Sequence, residues 1–368
     1  MLVYFSARGY TSIHEPIELN LVPPDHARIK GTRYEKGFHV TDRYKLMRSA
    51  LLFGPNGSGK TNILKALQMA QRCILSGLGS ITAGQEEADG SAGFRMMILD
   101  GTGRNEYTYS ITHERQRVLK EAFSINGATI YSFDGNQLMW HGNHSGPAVV
   151  PERDILSQVA PVLSAATGLR QAVSGLRFIM EEDILQWQTL PFTISKEETE
   201  YWRIQNKAIV SLLQLVDPVI TGVSFSLHES QLYEVMVHRR QIPAVQPVSA
   251  ESAGIRKMAA LASCFAHAFS EGDTVFVDQL DTWWTTPVLQ NLFRQFIHNQ
   301  DNQGQLVGTT HDLLLLDNQL FQPEQLFLVR RDPIRGTQVW SVGDYHLRSE
   351  KRRLYDAYLN GIFDECPY

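Results

Sequence analysis

Cysteine is scarce: Cys73, Cys264 and Cys366 are scattered through 368 residues with no CxxC pair. This gives no disulfide framework and no thiolate zinc site, and fits a reducing cytoplasm. No run of about twenty apolar residues is available to cross a bilayer. Met1 to Tyr10 also lacks the basic start and apolar core of a secretory leader, so a soluble cytoplasmic chain without a membrane partner is expected. Positive charge is not in excess either. Lys and Arg number 34 against 39 Asp and Glu, giving a net charge of −5 and a pI near 6.2. Nothing global attracts nucleic acid, so such a partner is possible through a local basic patch but not favoured. No heptad pattern with flanking charges is sustained, which argues against a long coiled coil. No metal-dependent nuclease signature stands out, so a destructive activity would come from a partner.

What is present is a chain that is 43% hydrophobic and 20% charged, enough to bury a large core and long enough for roughly two domains. Leu2 to Phe5 and Ile17 to Leu21 read as an opening β-hairpin. Leu51-Leu52-Phe53 ends at a glycine-rich turn, after which Ile63, Leu64, Ala66, Leu67 and Ala70 recur at helical spacing. Gly84 to Gly93 reads as an exposed loop. Phe94 to Leu99, Tyr107 to Ile111 and Thr129 to Phe133 read as strands. Ile155 to Val216 is mostly helical, with breaks at Pro161 and Pro191 and an apolar face of Ile204, Ala208, Ile209, Leu212 and Leu213. Strand-like Gly222 to Leu227 and Tyr233 to His238 follow, then a helix from Gly254 to Ala268 and strands at Thr274 to Val277 and Gln305 to Gly308. Interleaved strands and helices give an α/β fold with a mixed sheet. The organisation expected is residues 1–150 carrying the glycine-rich loop, a helical insertion over 151–220, and a second part of the same unit over 221–368.

Gly54-Pro55-Asn56-Gly57-Ser58-Gly59-Lys60-Thr61 satisfies G-x-x-x-x-G-K-[ST] between a strand and a helix, the context this phosphate-binding pattern requires. Its backbone amides and helix N-terminus suit phosphate oxygens. Lys60 neutralises the outer phosphates and the Thr61 hydroxyl can ligate Mg²⁺. ATP and Mg²⁺ are therefore the expected cofactors, with Asn56, Gly57, Ser58, Gly59, Lys60, Thr61 and Asn62 as the nucleotide-binding run. Ser252-Ala253-Gly254 opens an apolar helix, where a serine cap and free amides can receive a γ-phosphate. Such caps are common, and only the position between the phosphate loop and the acidic strand gives this one a functional reading. Thr274-Val275-Phe276-Val277-Asp278 is an apolar strand ending in a carboxylate suited to the magnesium shell. Thr309-Thr310-His311-Asp312 follows a later strand, where His311 can sense the γ-phosphate; alone, it would read as an ordinary core histidine.

The order of phosphate loop, Ser-x-Gly, acidic strand and histidine is that of ABC-type ATPases. Together with Asn62, Glu251-Ser252-Ala253-Gly254, Thr309-Thr310-His311-Asp312, Tyr358-Leu359-Asn360-Gly361 and the opening Phe5 to Ile13, it resembles the AAA-type ATPases related to RecF and the OLD proteins. The resemblance implies an ABC-type ATPase head. It also implies a homodimer in which Ser252 and Gly254 of one chain contact ATP held by Lys60 of the other. Relatives of this kind commonly serve in bacterial phage defence beside a nuclease or toxin.

Three positions depart from the pattern. The acidic strand ends Asp278-Gln279 where the family has Asp-Glu. A glutamine can orient water but cannot take its proton, and losing a general base lowers the rate by about 10²–10⁴-fold. Gln279 and His311 are the candidate catalytic residues, with ATPase turnover expected to be weak and Asp281 as a possible substitute base. Thr286-Pro287 replaces a histidine-proline pair, and Ile255 replaces a small polar residue. Trp283 and Trp284 suit either docking or core packing. Arg239-Arg240, Arg330-Arg331 and Lys351-Arg352-Arg353 read as solvated surface before phosphate contacts. The readings left open are a cycling hydrolase, an ATP-held scaffold for an effector, a RecF-like DNA repair or sensing ATPase, and a transporter subunit. Gln279 favours the scaffold; the signature and the C-terminal segment disfavour the transporter.

Overall fold

The structure is a computed structural model that describes residues 1–24, 35–41, 43–81, 90–147, 149–150, 153–180, 192–228, 231–282, 284–299, 301–316, 320–345 and 354–363. Its centre is a six-stranded sheet in the order Leu176–Ile179, Thr274–Val277, Gln305–Thr310, Ser49–Phe53, Leu326–Asp332 and Gly336–Ser341. The first five strands run parallel and the last is antiparallel. Continuous apolar runs suit such a sheet because both faces must be covered. Successive residues point to opposite faces and divide between two cores. Leu52, Phe276, Val307, Phe327 and Val329 enter one core. Leu51, Phe53, Val275, Val277, Leu306, Leu326 and Leu328 enter the other. Each such side chain contributes roughly 1.5–3 kcal/mol by burial, so neither face tolerates exposure.

The Lys60–Ser76 helix covers the first face with Ile63, Leu64, Leu67, Ala70 and Ile74. A seven-stranded antiparallel sheet closes over that core, in the order Leu138–Trp140, Ala128–Phe133, Arg117–Ile125, Glu106–Glu114, Ala92–Leu99, Leu2–Arg8 and Ile17–Asn20. Helices Ala253–Glu271 and Thr286–His298 cover the opposite face. The two sheets are joined at a buried polar contact around Gln305, which has no exposed surface. Its Nε2 donates to the carbonyls of Leu2 and Met47 at 3.1 and 2.9 Å, and its Oε1 accepts from Thr274 Oγ1 at 2.8 Å.

The segment 151–220 contributes to both cores. Helices Ile155–Val159 and Ser164–Ser174 pack with the antiparallel sheet, and Leu176–Ile179 joins the central sheet. Helices Lys196–Ile204 and Asn206–Val216 pack in the second core through Trp202, Ile209, Leu212 and Leu213. Of the sequence features named above, Pro191, Trp283, Cys366, Lys351-Arg352-Arg353 and most of the Gly84 to Gly93 loop lie outside the described residues. The mostly helical reading of Ile155 to Val216 is interrupted by strands Leu176–Ile179 and Thr193–Ile194, and strands Arg117–Ile125, Ile242–Pro247 and Leu326–Asp332 with Gly336–Ser341 are further elements without a clear sequence signal. In Arg117–Ile125, Lys120 and Glu121 interrupt the alternation, and Glu121 points into the core.

Glu121 is 2% exposed and accepts from Tyr131 Oη and from the amides of Ile155 and Leu156, each at 2.7 Å. It thereby ties the antiparallel sheet to the Ile155–Val159 helix. Burial outweighs those donors and raises its pKa to about 7. Between the unfolded value and about 7 the folded chain binds a proton that the unfolded chain releases, so stability is fullest below that range and falls as pH rises through it. Denaturant unfolding from about pH 4.5 to 7 should show a loss on the order of 3 kcal/mol that Glu121→Gln removes. Equal pH slopes for the two proteins would contradict this account.

Candidate functional site

Three parallel strands end side by side and deliver the site from their carboxyl ends, where open α/β sheets bind ligands. Ser49–Phe53 runs into the glycine loop, Thr274–Val277 into Asp278-Gln279, and Gln305–Thr310 into His311. The loop needs glycine for shape: Gly57 and Gly59 have φ of 76° and 104°, in the left-handed region. A Cβ on Gly59 would lie 2.0 Å from Thr337 Oγ1. Thr337 in turn shares a 2.6 Å hydroxyl bond with Ser12, whose Oγ accepts from Asn62 Nδ2 at 2.6 Å. The opening strand-loop, the last hairpin and the phosphate-loop helix are thus locked together.

Asn56, Gly57, Gly59, Lys60, Thr61, Asn62, Gln279, His311 and Arg331 line one cleft of about 210 Å³. Lys60 Nζ donates to the carbonyls of Gly54 and Pro55 at 2.8 and 3.0 Å and lies 3.2 Å from His311 Nδ1. That ring nitrogen is also 3.0 Å from Gly54 O. One tautomer of His311 donates to the carbonyl; the other accepts from the ammonium. Burial lowers the Lys60 pKa to about 8, against the opposing influence of Asp278 and Asp281.

Asp278 is 1% exposed; its Oδ2 accepts from Thr61 Oγ1 at 2.9 Å and its Oδ1 from Thr309 Oγ1 at 2.6 Å. The Thr61–Asp278 pair offers two adjacent hard oxygens and fits a magnesium ion, which takes oxygen ligands. Among the described residues, the buried Ser58 hydroxyl has no hydrogen-bond partner and no atom lies within 4 Å of a Cβ added at Gly57, so the cradle is open. Both observations fit a phosphate-sized anion at this loop.

Gln279 lines the cleft in a left-handed conformation, φ 48°, with its amide donating to Thr309 Oγ1 at 2.8 Å. A non-glycine residue held there carries strain of about 1–3 kcal/mol, and such strain clusters at functional sites. Asp281 accepts from the His311 amide at 2.9 Å but does not line this cleft; it faces a neighbouring one with Trp284, Thr286 and Asp312.

Ser252 caps the Ala253–Glu271 helix, accepting from Ile255 N at 3.5 Å. Neither Ser252 nor Gly254 is among the described residues that line the phosphate-loop cleft. Their loop is braced from both sides. Trp284, 5% exposed, donates from Nε1 to Gly254 O at 3.0 Å and lies under the Lys257 ammonium, 5.0 Å from the ring centre. Arg239 grips both Glu251 oxygens at 2.7 Å and donates to Asp217 at 2.8 Å. Arg239 is therefore an internal brace, and Trp284 is core packing. Ile255 is 4% exposed within the second core, which explains an apolar residue there. Arg331, which the sequence reads with Arg330 as solvated surface before phosphate contact, lines the cleft instead, because its hairpin packs beside the loop.

Residues 49–145 match the family model described as AAA domain, putative AbiEii toxin, Type IV TA system. Among solved structures, the chain is similar to an Smc head bound to the C-terminal winged-helix domain of ScpA. The identity is 14%, the alignment covers 92% of this chain and 97% of that one, and the TM-score is 0.53. It is also similar to an Smc head with an extended coiled coil bound to the C-terminal domain of ScpA from Pyrococcus furiosus. There the identity is 12%, 99% of each chain is covered, and the TM-score is 0.53. A comparison with curated proteins finds no match. The fold is that of SMC heads, an ABC-type head fold, and the likeness to the AAA-domain model is confined to residues 49–145. The closer likeness to RecF and OLD proteins stays with the motifs that suggested it.

Phosphate oxygens beside Lys60 would draw its pKa back up, so the binding of a phosphate-bearing ligand such as ATP above about pH 8 would take up a proton and weaken as pH rises. Calorimetry at about pH 9 in buffers of different ionisation heat should detect that uptake, and at about pH 7 should not. Affinity independent of pH over this range would mean that the Lys60 charge is not coupled to binding.

Proposed function

We propose that this chain is an ATP-binding switch or scaffold. Two copies close head to tail on ATP and magnesium, and the closed dimer holds a partner effector such as a nuclease or toxin, in defence against phage. The observation that carries this reading is the division of the site. The phosphate loop, Gln279 and His311 share one cleft, while the braced Ser252-Ala253-Gly254 helix start lies outside it. A second copy related by a two-fold axis supplies the missing helix start to each cleft, giving a closed, self-complementary pair.

Within this scheme Gly57, Ser58 and Gly59 cradle phosphate oxygens, Lys60 neutralises them, and Asn62 keeps the loop helix pinned to Ser12. Thr61 and Asp278 hold magnesium, which when bound offsets phosphate charge. Gln279 and His311 orient water and the outer phosphate. A water that attacks phosphorus must lose a proton, which Gln279 cannot accept, so turnover is slow and the ATP-held state is long-lived. The ScpA domains bound to the two similar Smc heads support the use of such a head to hold a partner protein. The match of residues 49–145 to the AAA domain of putative AbiEii toxins supports a defensive setting.

Steady-state turnover tests the scheme beside sedimentation in ATP. Wild type should turn over slowly and dimerise with ATP. Gln279→Glu should raise turnover by about tenfold or more. Lys60→Ala should lose binding, and Ser252→Arg should bind ATP but remain monomeric. Fast wild-type turnover would sink the switch reading, and a monomer in ATP would sink the sandwich.

A further inference from the structure

We propose that Arg331 binds the nucleoside end of the nucleotide, its guanidinium stacking on the base, and so makes the site selective for nucleotides over free polyphosphate. The inference rests on the nucleotide reading above and adds a residue and a specificity to it.

Register directs the side chain. Arg331 and Thr337 are opposite one another in the antiparallel hairpin of Leu326–Asp332 and Gly336–Ser341. Directly opposed residues project from the same face, and their sequence neighbours project from the other. Thr337 faces the phosphate loop, since its Oγ1 would lie 2.0 Å from a Cβ on Gly59. Arg331 therefore faces the loop as well, and it lines the cleft with Asn56 to Asn62. Arg330, one residue earlier, is turned to the opposite face.

Strand order then selects the end of the ligand. Ser49–Phe53, which feeds the loop, has Gln305–Thr310 on one side and Leu326–Asp332 on the other. His311, Asp278 and Gln279 all come from the first side, together with the Thr61–Asp278 oxygens that suit magnesium at the outer phosphates. A nucleotide lying across the loop with its terminal phosphate toward those groups puts its nucleoside on the other side, where Arg331 is. Arg331 is an exposed residue, and no hydrogen bond or ion pair of its guanidinium is seen among the described residues. Asp332, the adjacent carboxylate, is occupied in the turn, accepting from the amides of Ile334 and Arg335 at 2.8 and 2.7 Å. A planar, weakly hydrated cation without a fixed partner is suited to stack on an aromatic face.

The test is calorimetric binding of ATP, ADP and inorganic tripolyphosphate to the full chain in wild-type, Arg331→Ala, Arg331→Lys and Lys60→Ala forms, with melting temperature as the control for folding. Arg331→Ala should bind ATP and ADP about tenfold more weakly and tripolyphosphate unchanged, as expected for loss of one stacking contact. Arg331→Lys should restore little, because the ammonium has no plane to stack. Equal losses for ATP and tripolyphosphate, or full rescue by lysine, would make Arg331 a phosphate contact and overturn the proposal. So would unchanged ATP affinity in Arg331→Ala. Lys60→Ala should lose all three ligands. If the wild type binds none of them, the nucleotide reading itself fails and this inference falls with it.

Discussion

A carboxylate at the end of an apolar strand, nearly cut off from water, must find donors, and the site depends on how Asp278 finds them. Thr61 and Thr309 each give a hydroxyl. These two bonds join the first turn of the phosphate-loop helix, the acidic strand and the histidine strand at one point. Each is worth about 1.5–3 kcal/mol when the acceptor is charged, and leaving one unmade would cost more. The acidic strand end, the histidine strand end and the first turn of the helix are therefore held together on strands whose register the sheet ladder sets, and Lys60, Gln279 and His311 reach the same cleft.

A second set of contacts fixes the other side of the loop. Ser12, Thr337 and Asn62 form a short chain of hydrogen bonds linking the antiparallel sheet, the closing hairpin and the helix. Gly59 is excluded from carrying a side chain by this packing as well as by its backbone conformation. The loop is thus pressed between two braces, one acidic and one hydroxyl-rich. The signature loop has an independent brace in Asp217, Arg239 and Glu251, which ties the end of the Asn206–Val216 helix to the residue before Ser252. Arg239 and Glu251 are only 12% and 6% exposed, so removing Arg239 would strand the buried Glu251 carboxylate.

Much of the fold was readable because it repeats a local signal. The strand before the glycine loop, the helix after it, the strand ending at Asp278 and the strand ending at His311 each announce themselves by an apolar run or a helical period. The misreadings share a cause. Arg117–Ile125 carries Glu121 on its core face, where Tyr131 and two helix amides satisfy it, so the alternation that marks a strand is broken by a residue whose partners are ten and more than thirty positions away. Leu176–Ile179 is four residues long and sits between helical stretches, too short to outweigh them until a neighbouring strand supplies its hydrogen bonds.

By itself the sequence showed the glycine-rich loop between strand and helix, the strand ending in Asp278 and the glutamine at 279, because each is written in consecutive residues with a local physical meaning; the ABC-type class of the fold came from the order of these separated motifs along the chain. The tertiary structure alone decided that Gln279 and His311 join the loop in one cleft while Ser252 and Gly254 do not line it. It also decided that Arg239 is a brace and that Arg331 faces the site. Those outcomes depend on strand order and on which face a residue takes, both set by pairing between segments far apart in the chain, and no local pattern encodes them.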